Sequence, residues 1–88
     1  MPDPKSSDHL ALGHVIRPLR EEQGLSQEEL GFRAGLHRNY VGGCERGEIN
    51  LSFTVMLQLA RALEVSFLDL ATRFDRLTAS PVDTRWCR

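Results

Sequence analysis

Cysteine is scarce in this chain: only Cys44 and Cys87 occur among its 88 residues. Small domains stapled by disulfides use cysteine far more densely, so that class is excluded and both thiols are read as reduced. Long apolar runs are missing too. None approaches the ~20 residues of a membrane-spanning helix. The N-terminal Met1-Pro2-Asp3-Pro4-Lys5-Ser6-Ser7 also lacks the apolar stretch of a secretory signal. A cytoplasmic protein without a membrane partner is expected. No alternation of period two announces a strand, which points to an all-α fold. The net charge is only −1 and neither favours nor excludes a polyanionic partner. Chemistry-bearing sets are equally absent. There are no paired carboxylates, no nucleophile–base pair and no phosphate-binding glycine loop, so an enzyme is not expected. His37 and Cys44 fall about two helical turns apart, too far for a dyad. His9, His14, Cys44 and Cys87 show no ligand spacing, so neither a metal nor another cofactor is expected.

What remains is ordinary globular material, 41% hydrophobic and 26% charged, sufficient for one small domain. Residues 1–7, polar and holding two prolines, are expected to form a disordered arm, residues 8–77 the domain, and residues 78–88 a tail. Asp8 is the expected N-cap of a first helix with Leu12, Val15, Ile16 and Leu19 at helical spacing. Pro18 interrupts that period, at a usual cost of about 3 kcal/mol, and predicts a kink or a helix in two pieces. Gly24 supplies a stop. Ser26-Gln27-Glu28-Glu29 is a capping box for a short second helix that buries Leu30 and Ala34 and closes at Gly35. A third helix is predicted from about Arg38 to Glu45, with Val41 and Cys44 inward and Gly47 at its end. Ser52 caps a fourth, bearing Phe53, Met56, Leu57, Ala60 and Leu63. Ser66 and Asp69 cap a fifth, bearing Phe67, Leu70, Ala71, Phe74 and Leu77.

Two short helices around a tight turn, Gly35-Leu36-His37, are what a helix-turn-helix requires. In that motif the first helix packs across the DNA backbone and the second enters the major groove. Charge agrees. Between Arg33 and Gly47 lie three arginines and His37 against one acid, Glu45, inside a slightly acidic chain. The open N-terminus of the second helix suits phosphate, and Gln27 adds a side-chain donor there.

The sequence resembles the Cro/Xre, or lambda-repressor-like, helix-turn-helix family. The resemblance rests on Ile16-x-x-Leu19-Arg20, Gly24-Leu25-Ser26-Gln27-Glu28-Glu29-Leu30, Ala34-Gly35-Leu36, Tyr40-Val41, Glu45-Arg46-Gly47 and Leu59-Ala60-x-Ala62-Leu63. It implies a compact five-helix domain, usually dimeric on operator DNA. It also implies an ion pair between Arg20 and Glu45 that holds the recognition helix. By the same resemblance Arg38, Asn39 and Gly43 occupy base-reading positions; arginine suits guanine and asparagine adenine. Gln27 and Arg46 are expected at phosphates, Tyr40 at a phosphate or packed on the second helix, and His37 more as a cap than a reader. Gly42-Gly43 costs about 1 kcal/mol per glycine in helix stability and removes side chains that read edges. Modest specificity, or reliance on DNA shape, is implied. Cys44 stands where a branched apolar residue is usual, which favours core packing over redox sensing.

Phe74 and Leu77 extend the fifth stripe beyond what so short a chain can cover. A homodimer through Phe67, Leu70, Phe74 and Leu77 is therefore expected, with two recognition helices about 34 Å apart. The expected function is a sequence-specific transcriptional regulator, a repressor or operon controller, on double-stranded DNA. The alternative is an antitoxin-type module that masks a toxin, with residues 78–88 as the docking segment for that protein partner.

Overall fold

Ser6 begins the first helix, two residues before the expected cap. Its Oγ accepts a hydrogen bond from the His9 backbone N–H at 3.2 Å, and its φ/ψ of −78°/168° is the extended conformation an N-cap needs. Asp8 instead sits in the first turn, where its charge favours the positive end of the helix dipole. In the computed structural model residues 6–78 are described. They form α1 (Ser7–Glu22), α2 (Gln27–Ala34), α3 (Arg38–Glu45), α4 (Phe53–Ala62) and α5 (Phe67–Thr78), with no strand among the described residues. Ser6 and Ser7, expected in the arm, thus belong to α1 and its cap. Residues 1–5 of the arm and 79–88 of the tail lie outside the described residues.

α1 runs unbroken through Pro18, so the expected break into two pieces does not occur. The proline is on the exposed side, where the carbonyl it leaves without a helical donor is open to solvent. At the far end Gln23 donates from Nε2 to the Leu63 carbonyl and ties α1 to the end of α4. The Ser26–Glu29 capping box is complete in both directions, at 3.0 and 2.9 Å. Its bonds also hold the Glu29 carboxyl below its ordinary range, chiefly through the backbone N–H of Ser26. At α5 only half of the expected box forms. Ser66 Oγ accepts from the Asp69 N–H, while the Asp69 carboxylate turns to Arg73 at 3.2 Å.

The core is one cluster in which Ile16, Leu30, Val41, Cys44, Leu59, Leu63 and Leu70 are the largest fully buried side chains. Each buried aliphatic stabilises the fold by about 1.5–3 kcal/mol. Two glycines set how closely α3 is seated. A Cβ at Gly13 of α1 would strike the backbone of Glu45 and Cys44, and one at Gly31 of α2 would strike the carbonyl of Leu36. Gly35 turns the chain between α2 and α3 in the left-handed conformation, φ 73°. Gln58 of α4 then donates to the Ala34 carbonyl at 3.0 Å and pins the end of α2. α3 is therefore held by backbone contact on both sides.

Candidate nucleic-acid interface

His37 caps the start of α3. It has extended φ/ψ, and its Nδ1 accepts from the Asn39 N–H at 3.0 Å. That bond requires an unprotonated Nδ1, so in the neutral ring the proton sits on Nε2. From this cap α3 projects Arg38 and Asn39 outward, while Val41 and Cys44 enter the core. Burial pushes the Cys44 thiol up to about 12, which leaves it a packing group rather than a reactive one. Tyr40 is half-buried against the core, and burial raises its phenol too.

Side chains from three helices converge at the base of α3. Glu45 accepts from Arg20 Nε at 2.6 Å and from Arg20 Nη2 at 3.0 Å. It also accepts from Gln27 Nε2 at 3.0 Å, and Arg20 Nη1 closes on the Leu25 carbonyl at 2.8 Å. The ion pair is nearly dry, with side chains 11% and 4% exposed. Every lone pair and proton in so dry a site needs a partner. Among the described residues no buried side-chain nitrogen or oxygen lacks one. The hydrogen bonds that Arg20 donates to Glu45 raise the Arg20 pKa and keep the guanidinium charged.

Gln27 and Arg46, far apart in sequence, lie side by side over Gly42. A Cβ there would stand 3.0 Å from Arg46 Nη1 and 3.2 Å from Gln27 Oε1. Gly43 is different. Expected at the reading surface, it is covered by Ile49, whose Cδ1 is 2.5 Å from where its Cβ would be. A backbone approach to bases at Gly43 is therefore closed. Acids balance the outward cations: Arg38 Nη1 lies 3.7 Å from Glu28, and Arg46 Nε 3.1 Å from Glu48. Such exposed pairs stabilise by at most about 1 kcal/mol and do not lock either arginine.

A second surface forms on the α4–α5 side. Phe67 meets Phe53 edge to face, with ring centroids 5.4 Å apart, and Leu77 is exposed. Leu12, Met56, Phe67, Ala71 and Phe74 line an apolar hollow beside them. Leu70, expected at a dimer interface, also lines that hollow, but at 1% exposure it belongs to the monomer's own core. Three features escaped the sequence reading. Ile49 is signalled only as an apolar residue between Glu48 and Asn50. Phe53 fits the apolar period of α4, yet it faces outward, 59% exposed, which that period does not announce. Phe32 is 88% exposed on α2, at a position no periodicity singled out.

The family model described as helix-turn-helix matches residues 16–70, which include α2, α3 and α4 whole. The chain belongs to the helix-turn-helix family. This helix-turn-helix protein is 42% identical over 62 residues to the control protein C.SmaI of Serratia marcescens, covering 70% of this chain and 74% of that one. It is 40% identical over 74 residues to an uncharacterized HTH-type transcriptional regulator, y4dJ, of Sinorhizobium fredii, covering 84% and 92%. It is also similar to the crystal structure of the restriction-modification controller protein C.AhdI from Aeromonas hydrophila. There the TM-score is 0.72 at 46% identity, over 74% of this chain and 98% of that one. The expected all-α, lambda-repressor-like fold and the function class follow: a DNA-binding transcriptional regulator, not an enzyme. No described helix is long and apolar enough to cross a membrane. Among the described residues no group of His, Cys, Asp and Glu could hold a metal ion. The segment expected to dock a protein partner, 78–88, lies almost wholly outside the described residues.

Proposed function

We propose that this regulator acts in the cytoplasm as a homodimer that binds an inverted-repeat operator, with α3 of each copy in the major groove. The observation that carries this reading is the meeting of Gln27 and Arg46 over Gly42, on the helix whose first turn points Arg38 and Asn39 outward. Two phosphate ligands at one edge and two edge-reading side chains at the other suit a duplex laid across α3. Arg38 is bidentate to a guanine and Asn39 to an adenine. Gln27 and Arg46 hold phosphates, joined by the Tyr40 hydroxyl and the His37 Nε2–H. Phe67, Phe74 and Leu77, with Phe53, bury their apolar surface against the second copy. The controller and regulator relatives favour this reading over toxin masking.

Selection of bound duplexes from random DNA at two salt concentrations tests it. A motif with two inverted half-sites is expected, and the steepness of the salt response counts phosphate contacts. Arg38→Ala relaxes preference at one position, whereas Arg46→Ala weakens all sequences alike. Uniform weakening by both would overturn the assignment of readers and clamps. A monomer mass by sedimentation at micromolar concentration would overturn the dimer.

A further inference from the structure

The stripe of α3 that carries Asn39 comes round again one turn later at Gly43, where the helix has no side chain of its own. That place is filled from elsewhere. Ile49 reaches back from the loop between α3 and α4, with Cδ1 2.5 Å and Cγ1 3.0 Å from where a Cβ of residue 43 would stand. It is half-buried, packed against the core cluster and still reached by solvent.

We propose that Ile49 is a third base reader: it lends α3 the apolar contact Gly43 cannot make, and its target is the C5-methyl of a thymine. The inference rests on the reading of Arg38 and Asn39 as base contacts, since that reading puts this face of α3 in the groove. Phase comes first. Residues four apart share a helix face, so a groove that admits Asn39 also passes over position 43 and meets Ile49 there. Chemistry names the base. Isoleucine has no donor or acceptor, and thymine alone presents a methyl group on its major-groove edge. The glycine itself is the third sign. Any side chain at 43 would displace Ile49, so a residue unfavourable in mid-helix is what keeps the loop's methyl over the reading face.

The test uses the full chain and a duplex it has selected from random-sequence DNA. Each thymine is replaced singly by deoxyuridine, which removes the methyl and keeps every hydrogen-bonding group. Binding is followed by fluorescence anisotropy. At one thymine per half-site the replacement is expected to weaken the parent protein about three- to fivefold, as loss of one buried methyl contact does. Ile49→Ala should be weaker already and indifferent to that replacement. Ile49→Val lacks only the Cδ1 methyl, folds like the parent, and should show an effect below about twofold. A scan in which no thymine matters overturns the proposal, and so does a thymine effect undiminished in both variants. Arg38→Ala separates the layers. If it keeps the full preference for selected over random duplex, the reading of α3 fails; if preference falls while the scan is flat, only the assignment of Ile49 fails.

Discussion

Glu45 takes hydrogen bonds from two nitrogens of Arg20, at 2.6 and 3.0 Å, and so fastens the end of α3 to α1 across 25 residues of sequence. Removing either partner strands the other charge in a nearly dry site. Arg20→Ala or Glu45→Ala is expected to cost about 3 kcal/mol in denaturant unfolding. The pair replaced together by apolar residues of similar volume should recover most of that loss. Arg20→Lys should recover little, because an ammonium lacks the two-pronged geometry.

Gly42 permits the opposite trade. Its neighbours are the far ends of Arg46 and Gln27, which can move aside. Gly42→Ala should gain up to about 1 kcal/mol of helix propensity, a gain that reaches net stability only as far as Gln27 keeps its Nε2–H on Glu45. The same change should weaken DNA binding several-fold for every sequence, because both proposed clamps are displaced. Thermal unfolding and anisotropy on the same sample check both halves.

Glu28 places a carboxylate 3.7 Å from the Arg38 guanidinium, with side chains 75% and 63% exposed. An approaching phosphate meets that acid as well as the arginine. Glu28→Gln is expected to raise affinity for random duplex several-fold at low salt. The gain should vanish at high salt, where exposed charges are screened.

Cys44 supplies a pH effect whose sign is fixed. Burial lifts its thiol from 9.0 to about 12, so the folded state holds the proton more tightly than the unfolded one. This contribution is complete below pH 9 and is lost as pH rises from there toward 12. In a Cys87→Ser chain at pH 8, a disulfide reagent should modify Cys44 only at the rate at which the protein opens.

Pro18 lies on the exposed side of an unbroken α1. Pro18→Ala restores one helical hydrogen bond and should raise stability by up to about 3 kcal/mol. Unchanged or lower thermal stability would show that the proline is favoured by its effect on the unfolded chain instead.

Helix order, the recognition-helix bounds and most caps were legible because they rest on local rules: Ser26 with Glu29, Gly35 after Ala34, Ser52 before an apolar period. Ser6 was missed because Asp8 is an equally good cap by type, and only the fold decides which residue takes extended φ/ψ. Leu70 was misplaced because a stripe along α5 does not say which of its members α1 and α4 already cover. Gly43 and Ile49 were hidden for a different reason. Their contact spans a loop, and no pattern within a helix records what leans on it from outside.

The backbone seating of α3 has one more consequence. Gly13 and Gly31 press main chain to main chain, so the angle of the recognition helix does not depend on the side chains it presents. Arg38 and Asn39 can then be exchanged for other residues without re-aiming the helix. If Arg38 and Asn39 read bases as proposed, the domain is a fixed mount with a replaceable reading edge, and a few substitutions there change operator preference without changing the scaffold.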